Sequence, residues 1–152
     1  MEIKIANRKI GENHPVFIIA ELSCNHLQNY ELAVKTIKAM KESGADAVKL
    51  QAYTPDTITL DSNSEDFQIK QGTLWDGQTL HDLYKKAYTP WDWIPKLKKL
   101  AEDLGMICFS SEFDKTAVDF LEKIDVPIHK IASFEITDIP LIKYAASKRK
   151  PI

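Results

Sequence analysis

The chain has 152 residues, of which 44% are apolar, 28% charged and 9% aromatic, and its formal net charge is −2. That is ordinary globular composition for one domain. It excludes a disordered tail, a collagen-like fibre and a low-complexity array. Basic and acidic residues are interspersed except for the short Lys148-Arg149-Lys150 run, so the basic stripe of a nucleic-acid-binding surface is missing and no nucleic-acid partner is expected.

In chain order, residues 2–10 alternate, and Gly11 to Pro15 reads as a turn, so a small hairpin is expected at the start. Val16 to Ser23 (VFIIAELS) is continuous and β-branched, which predicts a buried strand. A helix follows, with Leu32, Ala33, Thr36, Ile37 and Met40 on one face and Gly44 just past its end, where positive φ is common. Ala47 to Tyr53 is a second strand, broken by Thr54-Pro55-Asp56. Residues 56–78 are polar and irregular, and a loop of that length is usually functional or disordered.

The spacing of Leu80, Leu83, Tyr84 and Ala87 predicts a helix from Thr79 to Ala87. Thr89-Pro90-Trp91-Asp92 reads as the start of another, with Thr89 as N-cap and Pro90 in the first turn. Ile94, Leu97, Ala101 and Leu104 form its stripe and Gly105 closes it. Met106 to Ser111 is a third strand. A helix from Lys115 to Ile124 turns Ala117, Val118, Leu121 and Ile124 inward. Ile128 to Ser133 is a fourth strand, Asp138 caps a last helix, and Pro151-Ile152 reads as the entry to a fifth strand.

The longest strongly apolar run, Val16 to Ala20, has five residues, against the ~20 of a membrane span. Met1 to Lys4 lacks a leader pattern. Cys24 and Cys108 have no CxxC partner and read as reduced thiols. A cytoplasmic protein without a membrane partner is therefore expected.

Strands alternating with helices imply βαβ units and a parallel sheet. A doubly wound sheet and a (β/α)₈ TIM barrel compete. No glycine-rich phosphate loop follows the first strand, which weakens the dinucleotide-binding version. A full barrel takes ~250 residues. Residues 1–152, with four βα units, are thus expected to form the N-terminal half of a barrel, preceded by a β-hairpin.

Chemistry in such folds collects at the carboxyl ends of the strands. The polar residues there are Glu21, Ser23, Asn25 and His26; Lys49 and Gln51; Ser110, Ser111 and Glu112; and Lys130, Ser133 and Glu135. Lys49 and Gln51 share a face, and Glu21, Ser23 and Asn25 follow the same parity. A lysine inside an apolar strand is costly unless paired or used. Lys49 is therefore either the structural partner of Glu21 or part of an anion-binding site. Lys130 and Ser133 differ in parity, so the strand ends or bulges between them, or only one faces the site. His26 reads as a metal ligand, a base or a loop residue. The other histidines show no metal spacing. Trp91 and Trp93 suit packing, whereas Trp75 lies in the long loop at the expected mouth.

The segments IAELSCNH (19–26), GADAVKLQAYTPD (44–56), GMICFSSEFD (105–114) and HKIASFEITDIPLI (129–142) resemble the sialic acid synthase family, in its order and spacing along the whole chain. Residues 65–93 resemble the pseudaminic branch of that family more than the N-acetylneuraminate branch. The resemblance implies a (β/α)₈ barrel followed by an antifreeze-like domain. It also implies condensation of phosphoenolpyruvate (PEP) with an acetamido sugar to give a nonulosonic acid and phosphate.

By that resemblance, Glu21 stands near the attacking water, and Lys49 and Gln51 hold PEP, with Lys49 mainly at the carboxylate. Ser111 matches a hydroxyl position, Lys130 and Ser133 match phosphate ligands, and Glu135 matches a sugar-contacting carboxylate. Asn25 and Trp75 join them as substrate-side candidates. A divalent metal, Mn or Mg, is implied, with ligands beyond Ile152 and none within 1–152. A homodimer is implied for the full-length protein. An N-acetylneuraminate or legionaminate synthase, a Schiff-base aldolase using Lys49 or Lys130, and a non-catalytic half-barrel are the competing readings.

Overall fold

A computed structural model describes residues 2–152. It opens with an antiparallel hairpin of β1 (Ile3–Ile5) and β2 (Arg8–Ile10). The hairpin turns at Ala6-Asn7, where Ala6 has φ 51°. The turn expected at 11–15 follows the hairpin, with the His14 N–H donating to the Gly11 carbonyl at 3.0 Å. Arg8 ties the hairpin to the main sheet: its Nη1 lies 3.3 Å from Asp46 Oδ1, and its guanidinium sits 5.9 Å over the Phe17 ring.

Four parallel strands follow, β3 (Ile19–Ser23), β4 (Ala47–Ala52), β5 (Ile107–Glu112) and β6 (His129–Ile131), in spatial order β3-β4-β5-β6. The helices are α1 (Tyr30–Glu42), α2 (Pro55–Ile58), α3 (Leu80–Ala87), α4 (Ile94–Asp103), α5 (Lys115–Lys123) and α6 (Ile139–Ser147). Sequential neighbours joined through helices give the N-terminal half of a (β/α)₈ barrel, as the alternation of elements predicts.

The core lies between the sheet and its helices. Val48 and Leu50 of β4 pack with Ile37 of α1, Leu97 and Ala101 of α4 and Leu121 of α5, all without solvent exposure. Each of the larger side chains contributes roughly 1.5–3 kcal/mol by leaving water. Helix starts and stops follow local chemistry. Asn29 Oδ1 accepts the Leu32 N–H at 3.0 Å, Asp138 Oδ1 accepts the Leu141 N–H at 3.0 Å, and Gly44 after α1 has φ 89°.

Three expected elements are corrected. The segment Val16 to Ser23 is not a buried strand: only 19–23 is strand, and Val16, Ile18 and Ile19 are 80%, 52% and 41% exposed. The reason is position, because β3 is an edge paired only with β4 among the described residues. Thr89 does not cap a helix. Residues 91–93 form turns and α4 begins at Ile94, because the Thr89 hydroxyl is held elsewhere, by His26. The fourth strand is shorter than 128–133. It ends at Ile131, and Ser133–Glu135 turn into a 3₁₀ helix.

The long polar segment is partly ordered, with α2, a 3₁₀ turn at Glu65–Phe67 and a bridge between Gln68 and Thr79. Beside β6, the Pro151 carbonyl accepts the His129 N–H at 3.0 Å. No helix among the described residues is long and apolar enough to cross a membrane.

Candidate active site

Strand register builds the site. Glu21 pairs with Lys49, and Lys49 with Phe109; one step toward the carboxyl ends, Gln51 pairs with Ser111, and Ser111 with Lys130. Alternation sets this row on the face opposite Val48 and Leu50, the inner face of the half-barrel. Glu21, Lys49, Phe109 and Lys130 line one concavity of about 400 Å³ there. A concavity of about 430 Å³ lies at the other end of the strands, between Ala6-Asn7 and Gly105 to Cys108. Its position at the amino ends makes it the less suitable of the two for chemistry.

Lys49 Nζ lies 2.5 Å from Glu21 Oε1, with the lysine side chain 8% exposed and the glutamate 58% exposed. The ion pair read as one alternative from sequence is therefore present. It also keeps a nearly buried ammonium poised on the inner face. Lys130 is half-buried. Burial, and then the nearby Lys49 ammonium, push its pKa below the ordinary 10.5, while Glu21 and Glu112 oppose the shift. Two cations close enough to depress a pKa form a local positive field, the feature that favours an anion with two negative ends.

The parity conflict between Lys130 and Ser133 resolves at the end of β6. Lys130 belongs to the pleat, whereas Ser133 opens the 3₁₀ turn. Glu135 closes that turn, and burial followed by the Asp138 charge raises its carboxyl above the usual range. The parity expected to run from Glu21 through Ser23 to Asn25 breaks. The register slips between Glu21 and Ser23, Ser23 has φ 53°, and Asn25 is exposed in the following loop. Ser111 is 1% exposed, in the row with Gln51 and Lys130. Trp75 is 46% exposed on a loop held by Asp76, whose carboxylate accepts the N–H groups of Gln71, Gly72 and Thr73.

Two polar clusters were not legible in the sequence. His26 is fully buried, with Nε2 2.9 Å from Thr89 Oγ1 and its ring edge-on to Trp93 at 5.5 Å. This loop-holding role joins the β3–α1 loop to the segment before α4. Glu112 and His129, the last residue of β5 and the first of β6, face the helices instead of the site. His129 Nδ1 is 3.2 Å from Glu112 Oε1 and Nε2 is 3.2 Å from Glu122 Oε1, with Glu112 and His129 side chains completely buried. Lys150 Nζ completes the chain, 2.9 Å from Glu122 Oε1. Period-2 parity could have set Glu112 and His129 on the outer face, but nothing local joins them to Glu122.

Among the described residues, no group of three or more His, Cys, Asp or Glu side chains could hold a metal ion. The histidines are engaged otherwise: His14 with Glu2, His81 with Asp56, and the other two as above. The described residues thus supply no ligand set of their own, and the resemblance assigns the divalent metal's ligands to positions beyond Ile152.

A parallel βα half-barrel with an acid–lysine pair and a second lysine facing its axis defines a candidate anion-binding barrel. The NeuB family model matches residues 36–152, and the chain belongs to that family. The chain is 50% identical to a pseudaminic acid synthase of Campylobacter jejuni over 136 residues, covering 90% of this chain and 39% of that protein. It is 51% identical to a pseudaminic acid synthase of Helicobacter pylori, covering 91% and 40%. A crystal structure of an N-acetylneuraminic acid synthetase from Leptospira borgpetersenii, in complex with citrate, superposes with a TM-score of 0.81 at 33% identity. That match covers 97% of this chain and 46% of that one. The chain thus spans about 40% of the length of the curated relatives it matches.

Proposed function

We propose that residues 1–152 are the first half of the catalytic barrel of a pseudaminic acid synthase-type enzyme. The reaction joins PEP to a 2,4-diacetamido-2,4,6-trideoxy hexose and releases phosphate. The observation that carries this reading is the inner-face row of Glu21, Lys49 and Lys130 around one concavity. The similarity to pseudaminic acid synthases supports the choice of branch.

In this reading Lys49 holds the PEP carboxylate and Lys130 its phosphate. Gln51, Ser111 and Ser133 donate the directional hydrogen bonds that fix the enol plane, and Asn25 and Trp75 stand on the acceptor side. The C2–C3 π pair of PEP forms the bond from its methylene carbon to the aldehyde carbon, the C=O π pair moves onto the aldehyde oxygen, and that oxygen takes up the proton that water releases to Glu21 in the following step. C2 is left electron-poor, and the Glu21 carboxylate stabilises that charge. Glu21 then accepts a proton from water as the water oxygen bonds to C2. The C2–O bond to phosphate breaks, the departing phosphate carries its electron pair out between Lys130 and Ser133, and the C2 hydroxyl passes its remaining proton to that phosphate as it becomes the ketone. Glu135 contacts the acceptor sugar.

A second reading is favoured by one observation, the depressed Lys130 pKa beside Lys49. It is the environment of a Schiff-base lysine. Phosphate release from PEP plus the diacetamido sugar, by the protein at the full length of its relatives, tests the first reading. Borohydride reduction in the presence of pyruvate tests the second. A covalent adduct on Lys49 or Lys130 overturns the synthase mechanism.

A further inference from the structure

Phe134 sits between Ser133 and Glu135 in the 3₁₀ turn after β6 and is 62% exposed. A singly exposed ring is ordinary on a surface, but this one stands at the carboxyl end of a parallel strand, where sites in such folds collect. Nor is the ring loose. It stacks on Phe113 at 5.5 Å and 25°, and Phe113 stands edge-on to Tyr53 at 5.5 Å. Tyr53 in turn stands edge-on to Tyr84 at 5.5 Å. Tyr53 and Phe113 are 3% and 5% exposed. Phe134 is therefore the open end of an aromatic ladder anchored in a buried cluster, with one face supported and the other free.

Its neighbours narrow what the free face takes. PEP is a small, multiply charged anion that belongs with Lys49 and Lys130, and a phenyl ring beside the Glu135 carboxyl offers it nothing. The same surroundings suit a neutral ligand with an apolar patch next to hydrogen-bonding groups. A deoxy sugar that presents a methyl group where others carry a hydroxymethyl is such a ligand.

We infer that Phe134 is a specificity-determining residue whose free ring face packs the C6 methyl group of the acceptor sugar. The inference rests on the synthase reading above. A hydroxyl at C6 would lose its water against this ring without gaining a partner, so the 6-hydroxy sugar is rejected.

The test uses the protein at the full length of its relatives, together with its Phe134→Leu and Phe134→Tyr variants. The probes are 2,4-diacetamido-2,4,6-trideoxy hexose and its 6-hydroxy counterpart, with affinities and saturation transfer followed by NMR. The unsubstituted chain is expected to prefer the deoxy sugar by about four- to tenfold, with its methyl protons saturated most strongly and shifted upfield by the ring current. Phe134→Tyr keeps the preference. Phe134→Leu loses the ring-current shift and most of the discrimination. An unchanged preference and shift in Phe134→Leu, or no preference in the unsubstituted chain, overturns the inference. PEP affinity on the same samples separates the two ideas. PEP binding retained with no sugar discrimination sinks the Phe134 role alone, whereas no PEP binding by any of the three sinks the synthase reading beneath it.

Discussion

Lys49 and Glu21 occupy paired positions on β4 and β3, with 2.5 Å between Nζ and Oε1. The pair is asymmetric, because the lysine side chain is 8% exposed and the glutamate 58%. Glu21 can swing into water at little cost, whereas Lys49 cannot leave. On the proposed reading, PEP binding at Lys49 exchanges one carboxylate for another.

Removing the competitor strengthens binding. Glu21→Gln is expected to raise PEP affinity by up to about fivefold, the worth of a partly exposed ion pair. Lys49→Met is expected to weaken it by roughly 10- to 100-fold, the range for a lost charge-assisted hydrogen bond. Isothermal calorimetry on the two variants checks both signs. Equal PEP affinity in Lys49→Met and the unsubstituted chain would remove Lys49 from the site.

The depressed Lys130 pKa gives the anion site an alkaline limit. Its ammonium loses its proton below the ordinary lysine value of 10.5 because burial and Lys49 disfavour the charge. Phosphate or PEP affinity should therefore fall as pH rises, starting before a solvent-exposed lysine would titrate. Lys130→Arg, which stays charged throughout, should flatten the profile. Affinity measured across the alkaline range reads the difference.

His26 sets an acid limit on stability instead. Burial lowers its pKa from 6.5, so the unfolded chain takes up the proton first. The stabilising contribution is full above 6.5 and declines as pH falls from there toward the lowered folded value. One such group gives a slope of about 1.4 kcal/mol per pH unit at most. Urea unfolding of the chain and of His26→Asn at neutral and mildly acidic pH checks it: the variant should show the shallower decline.

Behind β6, His129→Leu strands Glu112 as a buried carboxylate without its partner. The expected loss is about 3–5 kcal/mol, and the double variant Glu112→Leu/His129→Leu should recover much of it. Thermal and denaturant unfolding of the single and double variants gives the comparison. A double variant no more stable than the single one would show that the two residues do not act as a pair.

Much of the frame was written locally. The βα alternation, the Asp138 cap and the placing of Lys49 and Gln51 on one face follow from period, propensity and parity. The failures share a cause, which is dependence on residues distant in sequence. Val16 to Ile19 has the composition of a central strand, yet among the described residues β3 pairs only with β4, which leaves that segment exposed. Thr89 has the sequence of an N-cap, yet His26, 63 positions away, takes its hydroxyl. The break in parity after Glu21 depends on how β3 pairs with β4, so no reading of 19–26 alone reveals it. For Glu112 and His129, alternation sets the outer face, but their meeting with Glu122 is decided by how α5 lies on the sheet.

The slip between Glu21 and Ser23 separates two kinds of inheritance within eight residues. Upstream, Glu21 is locked in step with Lys49. Downstream, the loop starts from a left-handed residue and is pinned through buried His26 to Thr89 before it reaches Asn29. Exchanges at the exposed positions of that loop, Asn25 among them, can therefore alter the rim while His26 holds the loop in place and the Glu21–Lys49 step beneath it keeps its alignment.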